Sequence, residues 1–267
     1  MIPLEDTFAD VLGKAMKGLQ LGEAEAAAKS GFAEEEIRSL LRGNYDESSA
    51  RRLAASLGLR ADALAKLGRG EYVPTTPAAT NLAQVTTVYG GMSVNAYVLW
   101  DRENSGAAIF DTGADATPIL ELVDREELDV VGIFLTHSHA DHTAAMSALK
   151  HELGVEVWSS EQEQVPGTRA FRPGDLFNAG RHFIRTRSTP GHSPGGTTFV
   201  IEGQLLSAAI TGDALFAGSI GGVRGNYAAA LSAIRHEILS LPDKTIVCPG
   251  HGPMTTVGQE KENNPFF

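Results

Sequence analysis

Thr136-His137-Ser138-His139-Ala140-Asp141-His142 follows directly on the apolar run Val130-Val131-Gly132-Ile133-Phe134-Leu135. The run reads as a buried strand, so three imidazoles and a carboxylate are crowded at a strand end. Such crowding is expensive without a cation to satisfy it. His137 and His139, two apart, share a side where strand geometry persists, while Asp141 and His142 fall on the first turn of a following helix and face a neighbouring point. The arrangement offers ligands to two adjacent cations rather than one. Of the 8 histidines in the chain, three lie in this heptad, a concentration that an exposed polar turn of chance composition does not explain.

Further downstream, the same logic picks out three more residues. His192 sits in Thr189-Pro190-Gly191-His192-Ser193-Pro194-Gly195, Asp213 in Thr211-Gly212-Asp213-Ala214-Leu215-Phe216, and His251 in Cys248-Pro249-Gly250-His251-Gly252. Each follows an apolar strand and precedes a turn or helix. Strand signals at 85–89, 96–100, 107–110, 130–135, 155–158, 182–187, 197–201, 205–211 and 245–248 alternate with helix signals at 118–127, 143–152 and 227–241, which predicts sheets with helices on their outer faces. No Gly-x-Ser-x-Gly nucleophile elbow occurs. Cys248, three residues before His251, reads as a small buried apolar side chain.

Upstream the composition changes. Residues 1–72 are rich in Ala, Leu, Glu and Arg at helical spacing, with Phe8, Val11, Leu12 and Ala15 on one stripe and Leu53, Ala54 and Leu57 on another. Two prolines at 74 and 77 mark an extended linker over 73–82, and a catalytic domain is expected over 83–267. Residues 21–44 resemble the helix-turn-helix of phage-repressor-type regulators, with Gly31 in the turn. The start of its second helix is Ala33-Glu34-Glu35-Glu36, and residues 1–72 hold ten basic against twelve acidic side chains. That is the wrong charge for duplex DNA, and the glutamates suit a helix N-terminus on dipole grounds alone.

The whole chain of 267 residues carries 22 Lys plus Arg against 33 Asp plus Glu, a net charge of −11. Nucleic acid and anionic membranes are therefore not expected partners. No apolar run approaches the ~18 residues of a membrane span, and residues 1–6 lack the pattern of a secretory signal. A cytoplasmic protein is expected. A single cysteine excludes an internal disulfide.

Thr136 to His142, Gly191-His192, Gly212-Asp213 and Pro249-Gly250-His251-Gly252 together resemble the metallo-β-lactamase superfamily in its binuclear hydrolase form. The 189–195 loop, the 212–219 stretch and the tail from Thr255 through Asn264-Pro265-Phe266 are most similar to glyoxalase II-like thioesterases. The resemblance implies an α/β fold, an αββα sandwich with a metal cleft along one edge, preceded here by the small all-α region. It implies that His137, His139 and His192 hold one divalent metal, that Asp141, His142 and His251 hold the other, and that Asp213 bridges them. Zinc is the first expectation for that donor set, with iron or manganese as alternatives. Asp111, in Ile109-Phe110-Asp111-Thr112-Gly113, is expected to orient ligands from behind. Asp141, Asp213 and Asp111 are thus the carboxylates on which catalysis would depend.

The implied reaction is hydrolysis of a small acyl thioester, nominally S-lactoylglutathione, by a hydroxide shared between the cations. Two departures from the thioesterase pattern stand out. The helical domain that grips glutathione in the longer relatives has no counterpart after Phe267, and Gly222 stands where related sequences usually show Arg. Substrate anchoring then falls to Arg224 or Tyr227, or to the N-terminal bundle bordering the cleft; that bundle could also form a homodimer contact. Two alternatives compete. One is a persulfide dioxygenase with a single iron at the positions of His137, His192 and Asp213, and the other is a metabolite-sensing regulator that binds DNA through its N-terminal helices. A β-lactamase is disfavoured by the lack of an export signal, and an RNA-processing nuclease by the lack of a basic tract.

Overall fold

A computed structural model describes residues 2–75, 79–202 and 206–267. Parts of the expected 73–82 linker and of the 205–211 strand therefore lie outside the described residues, as does Met1.

Two six-stranded sheets lie face to face. The first runs in the order β1 (Leu82–Tyr89), β2 (Met92–Trp100), β3 (Gly106–Phe110), β4 (Asp129–Phe134), β5 (Val157–Ser160), β6 (Arg169–Phe171). The second runs β12 (Thr255–Thr256), β11 (Ile246–Pro249), β10 (Ala208–Gly212), β9 (Thr197–Glu202), β8 (His182–Ser188), β7 (Leu176–Ala179). β3 to β6 pair in parallel, as do β10 and β11, so crossover segments must cover the outer faces. Between the sheets Tyr97, Phe110, Phe134, Phe171, Phe199 and Ile210 form a closed apolar layer. On the far side of the first sheet, Ile119 and Leu122 of α6 (Thr117–Arg125) and Leu149 of α8 (Met146–Leu153) pack on Val98, Ile109 and Ile133. The expected αββα sandwich is the observed architecture.

Five helices precede it: α1 (Phe8–Gly18), α2 (Glu23–Ser30), α3 (Glu34–Leu41), α4 (Glu47–Ser56) and α5 (Ala61–Gly68). Their starts and stops follow local chemistry. Thr7 and Asp10 make a reciprocal capping box at α1, Asp46 caps α4 through Ser49 N, and Gly31 takes the left-handed φ of +72° that ends α2. The bundle does not close on itself. Leu12, Leu53, Leu64 and Leu67 share one apolar core with Val200, Ala209 and Val247 of the second sheet, and with Ile234 and Phe266. Each fully buried leucine contributes about 1.5 to 3 kcal/mol of transfer free energy, so separating the helices from the sheet would expose a large apolar area. α9 (Tyr227–Glu237) and α10 (Val257–Asn263) complete this layer.

Polar contacts reinforce the seam. Arg60 N donates to Pro265 O at 2.7 Å. The buried carboxylate of Glu260 accepts from Tyr72 Oη at 2.5 Å, Thr255 Oγ1, Asn264 Nδ2 and Gly218 N at 2.9 Å each. The two helices of the expected helix-turn-helix are α2 and α3, with Gly31 ending the first, and their arginines pair with glutamates. Arg38 pairs with Glu23, Glu34 and Glu35, and Arg42 with Glu35.

The sequence patterns missed β6, β7 and β12, because strands of two to four residues carry too little alternation to register. The helix expected over 227–241 ends at Glu237. Among the described residues no helix is long and apolar enough to cross a membrane.

Candidate metal centre

The site lies where strand ends meet. Asp111 follows β3, His137 follows β4, Asp213 follows β10 and His251 follows β11. After β4 the chain makes a short helix, α7 (Ala140–Thr143), with His139 as its N-cap in an extended conformation. That turn separates His137 and His139 from Asp141 and His142. His192 arrives on the loop between β8 and β9.

All seven side chains converge, in two groups with Asp213 between them. His139 Nδ1 lies 3.1 Å from His137 Nε2 and 2.9 Å from His192 Nε2. Asp141 Oδ2 lies 3.5 Å from His142 Nε2 and 3.3 Å from His251 Nε2. Asp213 stands between the groups, with Oδ2 3.3 Å from His192 Nε2 and 3.4 Å from His251 Nε2, and Oδ1 3.3 Å from His142 Nε2. The ligand atoms within each of the sets His137/His139/His192, His137/His142/Asp213 and Asp141/His142/His251 all lie within 4.8 Å of one another.

Behind this array the imidazoles are fixed from their other nitrogens. His142 Nδ1 is 2.8 Å from Asp111 Oδ2, His251 Nδ1 2.6 Å from Ser93 O, and His192 Nδ1 3.1 Å from Gly222 O. Each acceptor makes its Nδ1 the protonated nitrogen and turns the Nε2 lone pair inward. Asp111 also accepts from Thr136 N at 2.7 Å and Thr136 Oγ1 at 2.8 Å. It does so from a left-handed backbone, φ +56°, a conformation that Asp adopts more readily than most residues and that costs on the order of 1 kcal/mol.

The donor set fits cations on two counts. His142 Nε2 and Asp213 Oδ1 are buried and have no hydrogen-bond partner among the described residues, though only 3.3 Å separates them, a costly arrangement unless something else satisfies both. Neutral imidazoles and hard carboxylate oxygens are also the donors that zinc, iron and manganese take. Without a cation the electrostatics are lopsided. Burial opposes charge on His142, but Asp111 and Asp213 outweigh it and push its pKa up to about 10. For His251 burial is outweighed by Asp141 and Asp213, to about 11. His137 goes the other way, well below its ordinary value, through burial and the neighbouring charge on His142. Burial would raise Asp213 and Asp141, yet His142 holds the first well below the carboxylate range, and His251 brings the second to about 2.

One residue at the site carries no sequence signal. Glu163 reaches Ser138 Oγ, between two of the histidines, and accepts from Gly195 N in the His192 loop at 2.8 Å. The candidate substrate anchors are less engaged. Arg224 is exposed, and the Tyr227 ring packs on Gly18, where an added Cβ would meet it at 2.3 Å. Cys248 is fully buried, and burial raises its thiol pKa.

The profile of the metallo-beta-lactamase superfamily matches residues 89–251, a stretch that holds all seven converging side chains together with Asp111 and Glu163. The chain belongs to that superfamily. It is 36% identical over 198 residues to the hydroxyacylglutathione hydrolase GloC of Haemophilus influenzae, covering 65% of this chain and 92% of that protein. It is 31% identical over 202 residues to the probable metallo-hydrolase YqgX of Bacillus subtilis, covering 67% and 94%. Among solved structures, BLEG-1 B3 metallo-beta-lactamase superposes with a TM-score of 0.62 at 31% identity, covering 69% of this chain and 98% of that one. ETHE1 from Myxococcus xanthus gives 0.61 at 26%, covering 68% and 83%. TTHA1623 in a di-iron-bound form gives 0.57 at 28%, covering 68% and 100%. About a third of this chain lies outside each of these matches, and residues 1–88 lie outside the family profile.

Proposed function

We propose that this protein is a binuclear metallo-hydrolase that cleaves a small acyl thioester. His137, His139 and His192 would hold one divalent cation and Asp141, His142 and His251 the other, with Asp213 shared. The observation that carries the reading is Asp213 itself. A buried carboxylate that faces His192 and His251 with one oxygen and His142 with the other supports a residue that both cations would share. Zinc is the first candidate by donor chemistry, and the di-iron form of TTHA1623 makes iron the second.

The chemistry such a pair supplies is polarisation of an acyl oxygen and acidification of water. The protein's own residues do the positioning. Asp111 holds His142 and, through Thr136, the start of the histidine heptad. Ser93 O and Gly222 O fix the tautomers of His251 and His192. Glu163 ties the heptad to the His192 loop. Thioester specificity is supported by the likeness to the hydroxyacylglutathione hydrolase GloC, and hydrolysis more broadly by that to YqgX.

Elemental analysis of the purified full chain, run beside a panel of acyl thioesters that includes S-lactoylglutathione, tests the proposal. Two metal ions per chain and thioester turnover that chelation abolishes are expected. One iron per chain with oxygen uptake on a persulfide would replace this reading with the dioxygenase one.

A further inference from the structure

The loop after β10 carries Asp213 and then doubles back over it. A Cβ at Gly221 would sit 1.9 Å from Asp213 O and 3.0 Å from His192 Nδ1, and the next residue supplies the carbonyl that fixes His192. Moving this loop moves two of the converging side chains at once. Its middle is held by a side chain from the first helix, 206 positions away: Lys14 Nζ donates to Ile220 O at 2.8 Å. The same ammonium group pairs with Asp6 and lies 5.0 Å from the Phe216 ring, which meets the His251 ring edge-on at 5.7 Å. Asp6 follows Glu5, whose backbone nitrogen would be 3.1 Å from a Cβ at Gly252, the residue after His251.

One cation from the N-terminal bundle thus joins the segment packed behind His251 to the loop that holds His192 and Asp213. The pair is mostly withdrawn from water, with side-chain exposures of 22% for Lys14 and 8% for Asp6. Desolvating an ion pair costs more than an apolar contact would at the same place, and closing the bundle's leucine core does not require it.

We infer that Lys14 is a positioning residue for the metal centre, setting the Asp213–Gly222 loop against the 2–7 segment, and that the N-terminal helices are thereby part of the catalytic apparatus. The inference rests on reading the seven converging side chains as metal ligands.

The test uses the full chain and three variants, Lys14→Met, Lys14→Arg and Asp6→Asn. Each is followed by the visible spectrum of its cobalt(II) form and by zinc affinity in competition with a chromophoric chelator, with circular dichroism of the metal-free form to check folding. Lys14→Met keeps the apolar stem and is expected to alter the cobalt bands and weaken zinc binding by about tenfold or more, with its helical signal intact. Lys14→Arg restores the greater part of both. Asp6→Asn, which leaves the bond to Ile220 O in place, shifts both readouts the same way but less. A folded Lys14→Met protein with the parent spectrum and affinity overturns the inference. Should Lys14→Met fail to fold, an unchanged Asp6→Asn spectrum overturns it equally. Parent protein that takes up neither cobalt nor zinc would instead sink the metal-centre reading, and the inference with it.

Discussion

The two halves of the metal centre are assembled in opposite ways. His137, His139, Asp141 and His142 come from one heptad, bent by the short helix α7 and pinned from behind by Asp111. His192, Asp213 and His251 come from three separate loops, and none is fixed by its sequence neighbours alone. They are held by close backbone approach at Gly221 and Gly250, by the carbonyls of Gly222 and Ser93, and by Lys14 from the bundle. The first half needs one buried carboxylate to set it. The second must offset the entropy of ordering three loops, and does so with glycines that let backbones touch and with a layer of helices wrapped outside the second sheet. A binding site can therefore be locally specified on one side and depend on the whole chain on the other.

That contrast breaks first at Gly250. A Cβ there would lie 2.2 Å from Asp213 Oδ1 and 2.6 Å from His142 Cε1, so Gly250→Ala must push the shared carboxylate away from both groups. Metal affinity is expected to fall by about a hundredfold or more, as for displacements of order an ångström at a preorganised site; chelator competition and elemental analysis would read it. Retained affinity would show the dispersed half to be plastic. Asp111→Asn tests the local half. Asparagine tolerates the left-handed backbone and matches the size of Asp111, but it loses the charge that faces His142 and cannot accept through both side-chain heavy atoms. A loss of about ten- to a hundredfold in metal affinity is expected, and parent affinity would make the heptad self-sufficient.

The same contrast explains what the sequence discloses. The heptad is legible because its residues are neighbours, and β4 is legible because the apolar run 130–135 makes up nearly all of it. The αββα order follows from strands and helices long enough to show a period. Glu163 is invisible because Glu161-Gln162-Glu163 offers two equivalent carboxylates, and only the fold turns one of them toward Ser138. Lys14 is hidden for the same reason, as one of two lysines on α1. The stripes of Phe8, Leu12, Leu53 and Leu57 announce that the helices bury a face, but not that the face meets Val200 and Val247 of the second sheet. Tyr227, a candidate substrate anchor by sequence, has its ring packed against Gly18 of α1, a contact between chain segments far apart that no local pattern discloses.

Glu163 joins the two halves, and its removal sharpens the comparison by a smaller step. Glu163→Gln keeps the shape but weakens the bonds to Ser138 Oγ and Gly195 N, and a loss of roughly tenfold in kcat/KM is expected, at the low end for groups supporting metal ligands. Glu161→Gln, on the same turn, disturbs only a pair with Arg172 among the described residues and should leave kcat/KM unchanged. Equal losses in both variants would mean that the turn as a whole, rather than the tie between halves, is what matters.

The smallest effect is the pH dependence of the metal-free protein, to which both halves contribute. His142 and His251 have folded pKa values near 10 and 11, above the unfolded value of about 6.5. Their contribution to stability is therefore full below about pH 6.5 and is lost as pH rises through the folded values. Asp213 and Asp141 are held below the ordinary carboxylate value. Their contribution is present above about pH 4 and is lost as pH falls. Metal-free protein should be most stable near about pH 6.5, with Tm declining toward about pH 9 as the protons on His142 and His251 are lost on unfolding. It should also decline on the acid side, because His137, held well below its ordinary value, is protonated only in the unfolded chain. Bound cations require unprotonated imidazoles, so the alkaline decline should vanish in zinc-loaded protein. Thermal melts with chelator and with zinc across this range make the comparison. A metal-free profile that stays flat above about pH 6.5 would mean that the imidazoles facing Asp213 carry no proton, and that the two halves tolerate an uncompensated carboxylate between them.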